Sequence, residues 1–226
     1  MSSTKALALR IACDGESASG KSFASKAISK KYKLFCLNSG LLFRFASLLI
    51  LKHEPKKIIP FLKKKFKNLN YNKITQLNLH SQEISNHVVM LAQKKSVRSI
   101  TRALQKKIQR KYPRILVEGR DAASKILKKN PRYDVAFYFK CNLNTASLRR
   151  WRDLKKKVPL KEVEKSLKNR TLQDKKRRQN PLIKVPNAVE IRTHLLTKLQ
   201  MLQKMSKEID KKLVLKYGSN FKTSKK

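Results

Sequence analysis

The chain has 226 residues, of which 56 are Lys or Arg and 14 are Asp or Glu, for a formal net charge of +42. A hydrophobic content of 40% is enough for a real core, so wholesale disorder is excluded. The charge attracts anions of any kind, whether nucleotides, RNA or acidic surfaces, but says nothing about fold or specificity, and a compositional bias toward lysine gives the same balance. Cys13, Cys36 and Cys141 form no close-spaced pair, which argues against a disulfide framework or zinc site and fits a reducing cytoplasm. Arg10 interrupts the first apolar run, so no secretory signal is expected. The run from Leu41 to Leu51 carries Arg44 and Ser47 and is too short to span a bilayer.

In chain order, Ala6 to Cys13 reads as a short buried strand ending at Asp14-Gly15. A helix is expected from Gly20, with Phe23, Ala24, Ala27 and Ile28 on one face, and a second from Ser39 or Gly40 to Lys52. Pro55 and Pro60 interrupt the chain after this helix, and the lysine- and asparagine-rich residues 53–80 read as a peripheral insertion outside the core. Helical spacing returns at Ile84, Val88 and Leu91, then at Val97, Ile100, Leu104 and Ile108. Ile115 to Val117 and Val135 to Phe139 are apolar strands, and Phe137, Tyr138 and Phe139 are expected in the core. Asn144 is the expected cap of a helix carrying Leu148 and Trp151, and Leu160, Val163 and Leu167 mark the next. Val189 to Ile191 reads as an edge strand. Leu195, Leu199, Leu202, Met205 and Ile209 mark a last helix, before a basic, frayed tail at 216–226. Strand–helix alternation argues for one α/β domain with a parallel sheet and helices on both faces.

Gly15-Glu16-Ser17-Ala18-Ser19-Gly20-Lys21-Ser22 fits G-x-x-x-x-G-K-S between a strand and a helix. Backbone N–H groups of such a turn form a nest for phosphate oxygens. Lys21 is placed to reach the β- and γ-phosphates of ATP, and Ser22 to ligate Mg²⁺. Glu118-Gly119-Arg120-Asp121 follows a buried strand, where open parallel sheets bind ligands; the acids there suit magnesium or an acceptor, and Arg120 a phosphate. The many arginines suit phosphoryl transfer, in which positioning and charge neutralisation dominate, although in so basic a chain most cations are solvated surface. His53, His80, His87 and His194 have no ligand spacing.

Together, Asp14 to Ser22, Leu37 to Arg44, Gln82 to Arg98 and Val117 to Asp121 resemble bacterial cytidylate kinase, with a fainter match from Leu167 to Leu182. The resemblance implies a P-loop NTPase-type parallel sheet core flanked by helices, with an NMP-binding insertion and a lid over 149–178. It implies transfer of the γ-phosphate of ATP to CMP or dCMP with Mg²⁺, by a cytoplasmic monomer. By resemblance, Ser39, Arg44, Arg120 and Arg177 hold the acceptor phosphate, Arg98 and Asp121 read cytosine, Arg170 and Asp174 lie near the acceptor sugar, and Arg149 and Arg150 close over the transferring phosphate. The sequence departs from the family at Asn38, Phe43, Glu118, at 171–176, at Arg192 and at Val89, where a serine helps read the base. Two alternatives stay open: another acceptor such as UMP, or a basic RNA-binding protein on a kinase scaffold.

Overall fold

The structure is a computed structural model and describes residues 7–218, so Ala6 and the tail beyond Gly218 lie outside it. Five strands form one parallel sheet in the order β2-β3-β1-β4-β5: β1 Leu9–Gly15, β2 Phe35–Asn38, β3 Arg114–Gly119, β4 Val135–Lys140 and β5 Val189–Arg192. β1 is central, paired with β3 through Asp14↔Gly119 and with β4 through Gly15↔Phe139. Side chains alternate along each strand as the two-residue period requires. Ala12, Leu37, Ile115, Val117, Ala136 and Tyr138 enter one core layer, whereas Leu9, Ile11, Cys13, Leu116, Phe137 and Phe139 enter the other.

The second layer is closed by α1 (Lys21–Lys31) and α9 (Lys198–Tyr217). The first is closed by α2 (Ser39–His53), α3 (Ile58–Lys67), α4 (Tyr71–Thr75), α5 (Gln82–Leu91) and α6 (Lys95–Lys111). Helices thus cover both faces, and the loops at the carboxyl ends of the strands lie where such sheets bind ligands. α7 (Leu143–Asp153) and α8 (Leu160–Lys176) pack on each other around Ala146, Val163 and Leu167, with Ala18 of the loop after β1 against them.

Several expectations are corrected. Residues 53–80 are not outside the core: Leu62, Leu79, Ile74, Phe66 and Tyr71 are all buried in the first layer. Lys63, Lys64 and Lys65 project outward from α3 and mask an apolar face in the sequence. Each buried Leu, Ile or Phe here stabilises the fold by about 1.5–3 kcal/mol. Phe35–Asn38, not anticipated as a strand, forms the β2 edge. Phe23 is exposed beneath Lys198, with the ammonium 5.0 Å from its ring centroid. The cap of α7 is Asn142, which accepts from Thr145 N at 2.8 Å, in place of Asn144. Leu195 precedes α9, and both it and Leu199 are exposed. Lys216, the start of the expected tail, lies in the last turn of α9 and forms an ion pair with Asp134 at 2.7 Å. Among the described residues no helix is long and apolar enough to cross a membrane.

Candidate active site

The functional groups gather where the strands end. β1 ends in the loop Gly15 to Gly20, and α1 starts at Lys21. Gly15 has φ +148°, and a Cβ there would lie 2.2 Å from the carbonyl oxygen of Phe139, so only glycine lets the loop leave the sheet here. Gly20 caps α1 in the left-handed region. The Lys21 ammonium folds back onto the Glu16 carbonyl and the Ser19 hydroxyl. Burial, then the charge of Arg120, lowers its pKa to about 7. An ammonium left so poorly solvated favours an anion beside it.

Ser22 Oγ donates to Glu118 Oε1 at 2.6 Å, and Asn38 Nδ2 donates to Glu118 Oε2 at 3.1 Å. A hydroxyl and a carboxylate side by side at a P-loop are hard oxygen donors that suit Mg²⁺. Asp14 accepts from the backbone N–H groups of Ala122 and Ala123 at 2.7 and 2.8 Å. Burial raises its pKa to about 6, against the pull of those two bonds. Asp14 therefore fixes the Arg120–Asp121 turn relative to the P-loop.

Arg120 is the junction. Its Nε donates to Asp174 at 2.8 Å and its Nη2 to the P-loop hydroxyl of Ser17 at 2.9 Å. Asp174 also pairs with Arg177 at 3.3 Å. Burial alone would raise the Asp174 carboxyl, yet Arg120, Arg170 and Arg177 hold it below the usual carboxylate range. Lys175 from the same helix pairs with Glu16 at 2.8 Å. α8 is thus clasped to the P-loop from both sides.

Beyond Arg120 lies a cleft of about 490 Å³ between α5, α7 and α8, lined by Ser85, Val89, Arg150 and Arg170 among others. Arg44 is buried at its side, and its pKa is lowered to about 9 by burial and then by Arg170, Arg150 and Arg120. Burial and then Arg120 lower Arg170 to about 10. These four arginines crowd together, with Asp174, paired to Arg120, as a carboxylate among them. The Ser39 hydroxyl and Arg177 Nη2 are buried and, among the described residues, make no hydrogen bond. Such orphans are costly unless a ligand meets them.

Arg98 and Asp121 pair at 3.2 Å, both buried, and Arg102 joins Asp121 at 3.4 Å. Arg98 also donates to the Ala92 carbonyl at 2.6 Å and lies over the Phe43 ring. Arg149 and Arg150, adjacent on α7, diverge, as neighbours on a helix must. Arg149 donates to Thr193 Oγ1 at 2.9 Å and O at 3.0 Å, near Gly20. Arg150 turns to α5, toward the His80 carbonyl and Ser85 Oγ at 3.4 Å each. The P-loop residues and the candidate acceptor residues therefore gather at this edge, but Arg149 and Arg150 face opposite halves of it. Sequence reasoning gives no part to Asn38, Arg102 or Thr193 in these contacts, because their partners lie far away in the chain, and it reads Ser85 only as a substitute for the base-reading hydroxyl missing at Val89. Glu118, legible only as an acid at a strand end, proves to be the partner of Ser22.

The family model for cytidylate kinase matches residues 11–211. A cytidylate kinase of Clostridium botulinum (strain Okra / Type B1) is 28% identical over 219 residues, covering 91% of this chain and 99% of that protein. One from Mesomycoplasma hyopneumoniae (strain 7448) is 26% identical over 220 residues, covering 91% and 95%. Among solved structures, a shikimate kinase from Bacteroides thetaiotaomicron aligns at 9% identity and TM-score 0.47 over 92% of this chain and 98% of that one, too slight a likeness to bear on function. With the match running from the first core strand through most of the last helix, the chain belongs to the cytidylate kinase family.

Proposed function

We infer that the protein transfers the γ-phosphate of ATP to CMP or dCMP. The observation that carries this reading is Arg120, one guanidinium touching both the P-loop at Ser17 and, through Asp174, the helix α8 that lines the cleft with Arg170. It lets the donor and acceptor phosphates meet across a single residue. Gly15 to Gly20 would cradle the ATP phosphates with backbone N–H groups, and Lys21 would neutralise charge as the γ-phosphoryl departs. Ser22 and Glu118 would hold Mg²⁺, which supplies Lewis-acid charge neutralisation when bound. Ser39, Arg44, Arg120 and Arg177 would clamp the acceptor phosphate, Arg98 and Asp121 the base, and Arg170 and Asp174 the sugar side.

Arg149 would serve the ATP half and Arg150 the acceptor half of a lid spanning 149–178, with residues 53–80 as the NMP-binding insertion buttressing α2. Closure would exclude the water that otherwise hydrolyses ATP. We take the active form to be a cytoplasmic monomer, in keeping with three unpaired cysteines, which light scattering checks against the mass of one chain. The test of the reaction is a panel of nucleoside monophosphates with Mg-ATP, read by diphosphate formation. CMP and dCMP should lead it, and their failure would sink the reading.

One observation favours a broader acceptor range. Val89 lines the cleft where a base would lie and offers no hydroxyl, so UMP is expected to be a weak second substrate. The charge of +42 also predicts weak, sequence-blind RNA binding that fades with salt, read by fluorescence anisotropy; steep sequence discrimination would contradict it.

A further inference from the structure

We propose that Ser85 is a positioning residue that holds the acceptor arginine Arg44 and the lid arginine Arg150 on one hydroxyl, so that acceptor binding and lid position are coupled through it. This rests on reading the cleft as the acceptor site.

The geometry uses the whole capacity of that hydroxyl. Ser85 is buried on the first turn of α5, and its single proton goes to the Ser81 carbonyl at 2.7 Å. Its oxygen accepts from Arg44 Nη1 at 3.0 Å and from Arg150 Nη2 at 3.4 Å. A serine hydroxyl has one donor and two acceptor sites, so none remains. The carbonyls before α5 finish the grip, Leu79 O accepting from Arg44 at 2.7 Å and His80 O from Arg150 at 3.4 Å.

Two like charges from α2 and α7 therefore converge on neutral oxygens of a third helix. Left alone they would separate, because the Arg150 charge disfavours a buried, charged Arg44. The Arg44 guanidinium already feels Arg150 in this way. With Ser85 between them, both stay within reach of the place an acceptor phosphate would occupy. An anion arriving there would find its ligands oriented, at little reorganisation cost. By reciprocity, whatever draws Arg150 in should tighten acceptor binding, and the reverse.

The hydrogen bonds of Ser85 also exclude another role. Ser85 lies one helical turn before Val89 and would be the natural substitute for a base-reading serine. With its proton committed to Ser81, it has nothing to donate to a base and no lone pair free.

The experiment compares wild type, Ser85→Ala and Ser85→Thr in steady-state kinetics, with Trp151 emission as a second readout. Trp151 is the only tryptophan and neighbours Arg150 on α7. Ser85→Ala should raise KM for CMP about three- to tenfold and lower kcat, leaving KM for ATP unchanged, since one neutral-acceptor contact to each arginine is lost. Ser85→Thr, which keeps the hydroxyl, should recover most of the loss. Removing Arg150 in the Ser85→Ala background should cost less than in wild type, because the anchor is already gone. A folded Ser85→Ala enzyme with unchanged KM and kcat for CMP would overturn the proposal, as would full additivity with Arg150→Ala. If wild type fails to phosphorylate CMP, the acceptor assignment falls by itself. Ligand-free Trp151 emission then decides the tether: a shift in Ser85→Ala supports it, and identical spectra refute it.

Discussion

The two halves of the proposed site are built in different ways. The half proposed to bind ATP is built chiefly on one continuous segment, Gly15 to Ser22, shaped by backbone: a glycine pressed on Phe139, a left-handed Gly20 and a helix start. Its polar groups are largely satisfied internally, with Lys21 on Glu16 and Ser19, Ser22 on Glu118, and Glu16 on Lys175. The half proposed to hold the acceptor is assembled from side chains on α2, α5, α6, α8 and the β3 turn. There the charges are mutually repelling arginines, and Ser39 Oγ and Arg177 Nη2 lack partners among the described residues. A backbone nest is generic for phosphate, whereas a side-chain cage is shaped for one acceptor. Damage to the first should abolish chemistry, and damage to the second should change which acceptor is held and how well.

The largest effect should come from Lys21→Ala. The ammonium acts chiefly on charge that develops during transfer, so kcat should fall on the order of a hundred- to a thousandfold. Circular dichroism should show the fold intact, since the glycine geometry of the loop remains. Near-normal turnover in a folded variant would break the assignment of this half.

Arg44→Ala and Arg120→Ala probe the other half. Each removes a charge-assisted contact worth about 1.5–3 kcal/mol, so KM for CMP should rise roughly ten- to a hundredfold. The two should differ in a way the geometry sets. Arg44 touches only the acceptor side, so KM for ATP should hold; Arg120 also donates to Ser17, so a smaller rise in KM for ATP is expected. Equal losses for both substrates in Arg44→Ala would erase the distinction between the halves.

The contrast also governs what the sequence discloses. The nest is local, so its eight residues and flanking elements are legible at once. The arginines proposed to hold the acceptor are legible only through resemblance, because Arg44, Arg98, Arg120 and Arg177 are far apart in the chain and no spacing rule links them. Partners such as Arg102 on Asp121, Asn38 on Glu118 and Thr193 on Arg149 are not legible, since each contact exists only once the sheet order brings strand ends together. Residues 53–80 mislead for a different reason. Lys63 to Lys65 dominate the composition, while the buried set Leu62, Phe66, Tyr71, Ile74 and Leu79 spans two short helices and a loop without one sustained period. β2 escapes because four residues are too few for a periodicity signal.

A protonation effect on ATP binding should arise at Lys21. Lys21 has its pKa lowered to about 7 in the free protein, chiefly by burial and next by Arg120. Below pH 7 it is already an ammonium; above pH 7 it is largely neutral and must gain a proton to meet the ATP phosphates. ATP binding should therefore take up close to one more proton at pH 8 than at pH 6, and its affinity should weaken by up to about tenfold per pH unit in the alkaline range. Calorimetry in buffers of different ionisation enthalpy counts the protons. Lys21→Ala supplies the baseline, because it leaves the titration of ATP itself in place. Equal uptake by wild type and Lys21→Ala would show that Lys21 is charged before ATP arrives.

The smallest effect concerns base choice. Val89 borders both the larger cleft and the small cavity beside it, with Arg170 and Gln173 among the lining residues of each. Serine and valine are close in size, so Val89→Ser should be accommodated on this half-buried side of α5 without repacking. Its hydroxyl would restore one hydrogen bond at the base edge. A site that hydrogen-bonds a substrate group rejects the wrong base because a buried partner is then left unpaired. One neutral bond is worth about 0.5–1.5 kcal/mol, so the ratio of kcat/KM for CMP over UMP should rise about two- to tenfold in Val89→Ser. Arg98 and Asp121 persist in both proteins, so the wild type should still prefer CMP, only less sharply. Ser85 offers no escape, because its proton is committed to Ser81 and its lone pairs to Arg44 and Arg150. Ser85→Ala should accordingly raise KM for CMP and UMP alike and leave their ratio where it was. If Val89→Ser leaves the ratio unchanged while Ser85→Ala collapses it, the hydroxyl that reads the base is Ser85, and the division between arginine-holding and base-reading positions on α5 is wrong.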